Sequence, residues 1–266
     1  MRPLAKAAWA SHLLPVAALA APALRWEALL AWGVAQAGIA LEILRPGSRS
    51  FAANIRRAPE AVDRIAITFD DGPRENETGP LLDALAAARA RASFFLVGRR
   101  AKALPALVRR IAAGGHTIGN HTLSHPKHWS LLPRGRALRE VGEAQAILAE
   151  ITGRAPSFFR PPMGHKNLHL DEILMAHALK QVTWSVRSFD TLTRDAGAVL
   201  RRVGPRLRGG EIVLLHEGLK EKRRGTPLSV ELVAPLVSAL RERRLQPVSL
   251  EALLSAPPAA PTTAPP

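Results

Sequence analysis

The sequence predicts a parallel α/β barrel preceded by an apolar helical segment. Apolar runs with strand character recur along the chain, helix-like stretches separate them, and clustered acids and histidines fall at or just after the predicted strand ends. Such alternation indicates a parallel sheet, and a closed or nearly closed barrel collects its chemistry at the carboxyl ends of its strands. Seven strands are predicted, over residues 64–69, 92–97, 116–121, 157–160, 181–186, 211–216 and 246–250. Between them, helical spacing predicts helices over 80–89, 101–113, 134–150, 168–179, 196–207 and 230–243. Asp70, His121, Arg160, Asp190 and His216 then all lie at one end of the sheet.

The first of these ends is the most informative. Ile65-Ala66-Ile67-Thr68-Phe69 runs straight into Asp70-Asp71 and then Gly72-Pro73. Neighbouring side chains of a regular strand point to opposite faces, so two adjacent acids are expected to converge only where the strand ends. Gly72-Pro73 supplies such an ending, although a solvated turn has the same composition. A buried carboxylate pair would require a cation or a shared proton. His121 and His125 are four apart and are expected on one face of a helical turn. Neutral imidazoles at that spacing suit zinc, with an Asp from elsewhere completing a three-ligand set that leaves a position open for water.

Together these motifs make the chain resemble the polysaccharide deacetylase family, the NodB-type domain of carbohydrate esterase family four. The resemblance runs over roughly residues 63–254. The family's T-F-D-D-G-P stands unaltered at Thr68 to Pro73, which implies Asp70 as catalytic base and Asp71 as metal ligand. Its H-[ST]-x-x-H is His121 to His125, implying the two other ligands. Its R-x-P-[YFW]-G appears as Arg160-Pro161-Pro162-Met163-Gly164, so Arg160 partners the base and the Met163 N–H, with Pro162 beside it, belongs to the oxyanion and substrate site. Its D-x-x-D-W is reduced to Arg187-Ser188-Phe189-Asp190-Thr191, keeping Asp190, the acid that orients the catalytic histidine. Its L-x-H is Leu214-Leu215-His216, with Leu214 lining the site and His216 as general acid. The resemblance implies a distorted (β/α)7 barrel. Met163 and Thr191 replace aromatic residues, which alters the expected sugar groove.

Amide hydrolysis asks for the same residue types on chemical grounds. It needs a nucleophilic water, stabilisation of a negative acyl oxygen and a proton for the leaving amine. A zinc ion held by Asp71, His121 and His125 would activate the water and polarise the carbonyl. Asp70 would take the water's proton, and Asp190 would hold His216 in the tautomer and charge state that donation requires. Taken singly, His216 could be a structural cap and Arg160 a surface residue; their order along the chain favours the functional reading. Trp129 could stack on a sugar ring or anchor its loop, His165 could line the groove, and Arg187 could meet an anionic substituent or a local acid.

The chain has 266 residues and a formal net charge of +15, which favours anionic surfaces, with membrane phosphates and acidic cell-wall polymers as the candidates. A nucleic-acid partner is not expected, because no recognition motif is present, aromatics are few and tyrosine is absent. Without cysteine there is neither a disulfide framework nor a thiolate metal site. Residues 7–24 and 28–41 are apolar and are interrupted by Arg25-Trp26-Glu27. They are expected to form an anchor in the bacterial inner membrane, as one interrupted span or a short hairpin, rather than a cleaved signal or a helical pair packed on the barrel. Basic residues flank both sides, so charge does not fix the side on which the barrel lies. The expected organisation is an anchor and linker over 1–58, a catalytic domain over 59–255, and a disordered Pro/Ala-rich tail over 256–266. The expected protein is a monomeric, metal-dependent enzyme removing an acyl group from an N-acetylated glycan or lipid-linked sugar. A weakly catalytic glycan-binding protein and an amidase acting on a non-sugar amide are the alternatives.

Overall fold

β1 (Arg64–Gly72) is the centre of the sheet, and every strand pairing is parallel. The computed structural model describes residues 25–218 and 225–255, together with 6, 7, 10, 11 and 13. After α1 (Arg25–Leu44), the order is β1, α2 (Thr78–Ala87), β2 (Ser93–Leu96), α3 (Gly98–Ala103), α4 (Pro105–Ala113), β3 (Thr117–Asn120), α5 (Arg134–Thr152), β4 (Phe158–Phe159) and α6 (Leu170–Ala176). It continues through β5 (Lys180–Gln181), β6 (Val186–Arg187), α7 (Ala196–Val203), β7 (Ile212–His216), α8 (Leu228–Glu242), β8 (Gln246–Val248) and α9 (Leu250–Leu254). The sheet runs β5-β4-β3-β2-β1-β7-β6, with β8 pairing the lower end of β1.

Strand alternation divides the core in two. Ile65, Ile67 and Phe69 on β1 and Val213 and Leu215 on β7 face the helices, where Phe69 stacks on Phe94 at 5.4 Å. Ala66, Phe95, Phe158, Val182 and Ile212 fill the barrel interior. Full burial of such apolar side chains contributes about 1.5–3 kcal/mol each. α5 buries Ala137, Val141, Ala144 and Leu148, a helical stripe against the sheet, and ends at Gly153, whose φ of 73° makes the left-handed cap.

The structure corrects several expected boundaries. The helix expected over 101–113 is two helices, broken at Leu104 because Pro105 disfavours helical geometry in the residue before it and opens α4 as its first residue. The helix expected over 168–179 shortens to α6, and the end of the stretch expected over 196–207 tightens into a 3-10 turn at Gly204–Arg206. Ser249 caps α9, so the last strand stops at Val248. The expected strand over 181–186 becomes two short strands at opposite ends of the sheet order. Its first half pairs with β4 and its second half with β7, so one chain segment joins the two sheet edges and closes the barrel. This accounts for eight strands where seven were expected.

The stretch after α1 is built into this body. Phe51 and Ala52 are fully buried, Ile55 bridges to Val182, and the Ala58 N–H donates to the Gly210 carbonyl at 2.8 Å. Gln36 Nε2 on α1 donates to Ser11 Oγ at 2.9 Å. Most of the apolar stretch over 7–24, and the tail over 256–266, lie outside the described residues.

Candidate active site

Asp70 and Asp71 converge through a bulge rather than a strand end. β1 continues to Gly72, but its register against β2 shifts between Asp70 and Gly72, and Asp71 has φ 73°. The extra residue turns Asp71 back toward the face that Asp70 already occupies. A Cβ on Gly72 would meet the Glu217 carboxylate, so glycine leaves room for that buried acid beside the bulge.

The two histidines lie on a loop, correcting the helical turn expected from their spacing. Thr122 and His125 take φ of 67° and 52°, values that no helix accommodates. The Asn120 side chain accepts from the Thr122 N–H at 2.9 Å, and Thr122 Oγ1 accepts from the His125 N–H at 3.0 Å. Glu140 on α5 accepts from the Ser124 N–H at 2.9 Å and from Ser124 Oγ at 2.7 Å. Asn120 and Glu140 were not singled out by sequence reasoning. Their only signal was a polar residue at a predicted strand end and an acid on a predicted helix.

Asp71, His121 and His125 each offer one ligand atom, all within 4.8 Å of one another. Asp71 Oδ1 lies 3.7 Å from His121 Nε2 and 3.3 Å from His125 Nε2. It is buried and accepts no hydrogen bond, an unusual state for a carboxylate oxygen unless a cation lies opposite. His121 Nδ1 donates to the Arg160 carbonyl at 2.7 Å, which orients the ring with Nε2 toward the acid. Burial, with His121 beside it, lowers His125 to about 4, so that ring is neutral. Burial raises the Asp71 carboxyl, but His121, His125, His216 and Arg100 outweigh it and hold the group below the ordinary value. A carboxylate oxygen and two imidazole nitrogens fit a divalent metal ion.

Arg160 is fully buried in the barrel interior. Its guanidinium stacks on Phe95 at 4.0 Å and donates to Thr68 Oγ1 at 2.8 Å, Asp70 Oδ1 at 2.6 Å, the Val182 carbonyl at 3.2 Å and the Thr183 carbonyl at 3.0 Å. Burial lowers its pKa, opposed by Asp70. The carbonyls it takes up are those of the segment joining β5 to β6, so one cation serves both the barrel closure and the acid.

His216 ends β7, paired in register with Asp70 on β1. Its Nδ1 donates to Asp190 Oδ1 at 2.9 Å and its N–H to Asp190 Oδ2 at 2.7 Å. Burial lowers the His216 pKa, but the hydrogen bond and charge of Asp190, with Asp70 and Asp71, raise it overall. Ser188 Oγ donates to Asp190 Oδ1 at 2.8 Å and fixes the acid in turn. Pro162 is buried beside Met163, which has φ 57° and is exposed. Leu214 is buried on β7 and shares the face of His216, one step deeper in the barrel.

A cleft of about 620 Å³ adjoins Asp190 and is lined by Arg74, Glu77, Thr191, Leu192, Arg194 and Leu228 among others. Trp129 is fully buried against Phe159 at 5.7 Å and anchors its loop, so it is not placed to stack on a sugar. Arg187 lies over the Phe189 ring at 4.5 Å, and His165 is half-buried.

Comparison with known proteins places the chain among relatives. Residues 57–182 match the family described as polysaccharide deacetylase. A chitooligosaccharide deacetylase of Azorhizobium caulinodans is 33% identical over 198 residues, covering 69% of this chain and 92% of that protein. A peptidoglycan-N-acetylglucosamine deacetylase of Bacillus cereus is 35% identical over 156 residues, covering 57% of this chain and 55% of that protein. The chain spans only 32% to 55% of the length of the peptidoglycan deacetylases it matches. Among solved structures, a peptidoglycan N-acetylglucosamine deacetylase superimposes with a TM-score of 0.70 at 28% identity, over 77% of this chain and 94% of that one. Bulge, histidine loop, buried arginine and histidine–aspartate pair thus stand on a shared fold, and the chain belongs to the polysaccharide deacetylase family.

Proposed function

We propose that the protein is a metal-dependent hydrolase that removes an acyl group, acetyl in the first instance, from the nitrogen of an N-acylated amino sugar. The observation that carries this reading is an arrangement. The three ligand atoms of Asp71, His121 and His125 share one end of the sheet with an arginine-held carboxylate, Asp70, and a carboxylate-held imidazole, His216, which are register partners on β1 and β7. A base and an acid beside a ligand set are what amide hydrolysis needs and what a binding module does not.

A divalent ion in this set, Zn²⁺ by its ligands, would supply a Lewis acid for the acyl carbonyl and a water acidified toward ~7. Asp70 takes the proton of the attacking water, with Oδ1 held by Arg160 and Oδ2 turned toward the ligand atoms, 3.9 Å from His121 Nε2. Because Asp190 occupies Nδ1 of His216, the proton given to the departing amine leaves from Nε2. The Met163 N–H is the main-chain donor assigned to the developing oxyanion. Thr191, standing where the family carries tryptophan, borders the cleft beside Asp190 and leaves the substrate side open.

The test is acetate release from N-acetylglucosamine oligomers and peptidoglycan by the full chain in detergent, stripped of metal and refilled with Zn²⁺, beside Asp70→Asn. Release that returns with metal and is absent in Asp70→Asn supports the reading. Metal uptake without release from either substrate overturns it in favour of a binding protein or another amide. Failure to take up metal removes the proposed centre.

A further inference from the structure

The end of α1 is bolted to the catalytic end of the barrel. The Lys166 N–H donates to the Ile43 carbonyl at 2.9 Å, and its buried ammonium donates to the carbonyls of Pro46 at 2.8 Å and Gly164 at 3.2 Å. Gly164 and Lys166 belong to the loop that follows β4 and carries Met163. A Cβ on Gly164 would strike Pro46, so the two segments are in direct contact. From there the chain descends to the opposite end, where the Ala58 N–H meets Gly210 ahead of β7 and the Val62 carbonyl lies against Gly209.

α1 itself is apolar over Trp26–Leu44, 19 residues with none buried. At 1.5 Å per residue that is about 28 Å, close to the ~30 Å of a bilayer's hydrocarbon. Trp26, Leu30, Val34, Leu41 and Leu44 are its large exposed side chains and fall on one stripe, within an arc of about 80° at helical spacing.

Large apolar side chains are also exposed on the catalytic loops. Leu131 is 80% exposed on the loop after β3, Met163 is 44% exposed after β4, and Leu192 is 79% exposed after β6. In an all-parallel sheet these loops share one end. Exposed cations accompany them: Arg49 just past α1, Lys127 on the β3 loop and Arg187 at the end of β6. Apolar tips and cations on loops at one end of the sheet, one of which is bonded to the end of an unburied apolar helix, on a chain of net charge +15, match the hydrocarbon and anionic headgroups of a lipid bilayer.

We infer that the catalytic rim of the barrel docks on the surface of an anionic lipid bilayer, so that the amide it attacks is on an amino sugar held in the headgroup layer. The substrate part of this inference rests on the hydrolase reading; the docking part does not. α1 then acts as a positioning element that sets the height and tilt of the rim as well as a tether.

The full chain is reconstituted into vesicles of phosphatidylethanolamine and phosphatidylglycerol. Because it has no cysteine, Leu131→Cys, Leu192→Cys and Val62→Cys each give a unique site for an environment-sensitive fluorophore. Val62 is exposed at the opposite end and reports tethering without docking. Docking predicts a blue shift, and quenching by brominated lipid, for the labels at 131 and 192 but not at 62. Equal water exposure of all three labels overturns the inference. In a second measurement, the unlabelled variant Leu131→Asp is assayed on an N-acetylglucosaminyl lipid in the vesicles and on soluble N-acetylglucosamine oligomers. Selective loss on the lipid supports docking, and equal rates on both substrates for parent and variant overturn it. If the parent hydrolyses neither substrate while its rim labels are quenched, docking stands and the hydrolase reading falls.

Discussion

Arg160 orients His121 with its main chain and Asp70 with its side chain: the His121 Nδ1–H reaches the Arg160 carbonyl at 2.7 Å, and the guanidinium reaches Asp70 Oδ1 at 2.6 Å. A ligand and the proposed base are therefore set by one residue. Arg160→Met would leave Asp70 buried without its cation and the Val182 and Thr183 carbonyls without a donor. Removing one partner of a buried pair costs about 3–5 kcal/mol. The expected result is a loss of that size in urea unfolding of the metal-free protein, and wild-type stability would refute it. Arg160→Lys restores the charge but cannot reach all four acceptors, so it should recover only part of the loss.

Glu140 touches no ligand atom, yet both oxygens of its carboxylate hold the loop between the two histidines through Ser124. Glu140→Ala should weaken metal affinity by about 10- to 100-fold, the usual effect of removing a group that orients ligands. Calorimetric titration of the stripped protein with Zn²⁺ measures this directly. An unchanged affinity would mean that the backbone pairings of Thr122 and Leu123 hold the loop by themselves.

Asp190→Asn preserves shape but removes the charge facing His216 and the acceptor that selects its tautomer. A fall in kcat of about 10²- to 10⁴-fold is expected, as for loss of a properly held acid or its orienting partner. Metal stoichiometry should be unaffected, because Asp190 is not a ligand. Loss of metal along with rate would point instead to a general disturbance of the site.

Glu217 supplies the pH dependence. It is buried, one of its oxygens has no hydrogen-bond partner, and the other accepts from Thr78. Burial raises its carboxyl from 4.5 to about 8, with Glu77 and Asp71 adding to the shift against the opposing effects of Thr78 and Arg74. The folded state thus binds this proton more tightly than the unfolded state. The associated stability is fully present below about 4.5 and is lost as pH rises through about 8. The slope is at most about 1.4 kcal/mol per pH unit. Glu217→Gln should remove this decline, seen as a flatter curve of unfolding free energy between pH 5 and pH 8. An unaltered slope would assign the decline to other groups.

Much of this architecture was legible in the chain because its strongest signals are local. β1 and β7 are apolar runs whose ends carry the acids and His216, and the ligand residues were recognisable by type and order. The geometry that joins them was not. A strand pattern cannot announce the bulge that turns Asp71, because the residue taking φ 73° is an aspartate rather than a glycine. The four-residue spacing of His121 and His125 suggested a helix, but side chains of Asn120, Thr122 and Glu140 supply the hydrogen bonds a helix would have made internally. The break at Leu104 was readable from Pro105. The division of the segment between Lys180 and Arg187 was not, since alternation reveals a strand's faces but not its neighbours.

That divided segment has a consequence for motion. Each of its halves holds the sheet through only two residues, Lys180–Gln181 on one side and Val186–Arg187 on the other. Such short bonded spans open at a lower free energy than the long central ladders. The carbonyls at its middle, Val182 and Thr183, bind the same guanidinium that steadies Asp70. Breathing of the clasp therefore loosens the acid at the same moment, and the local opening rate read by amide exchange at Val182 and Thr183 is also the rate at which Asp70 loses its alignment.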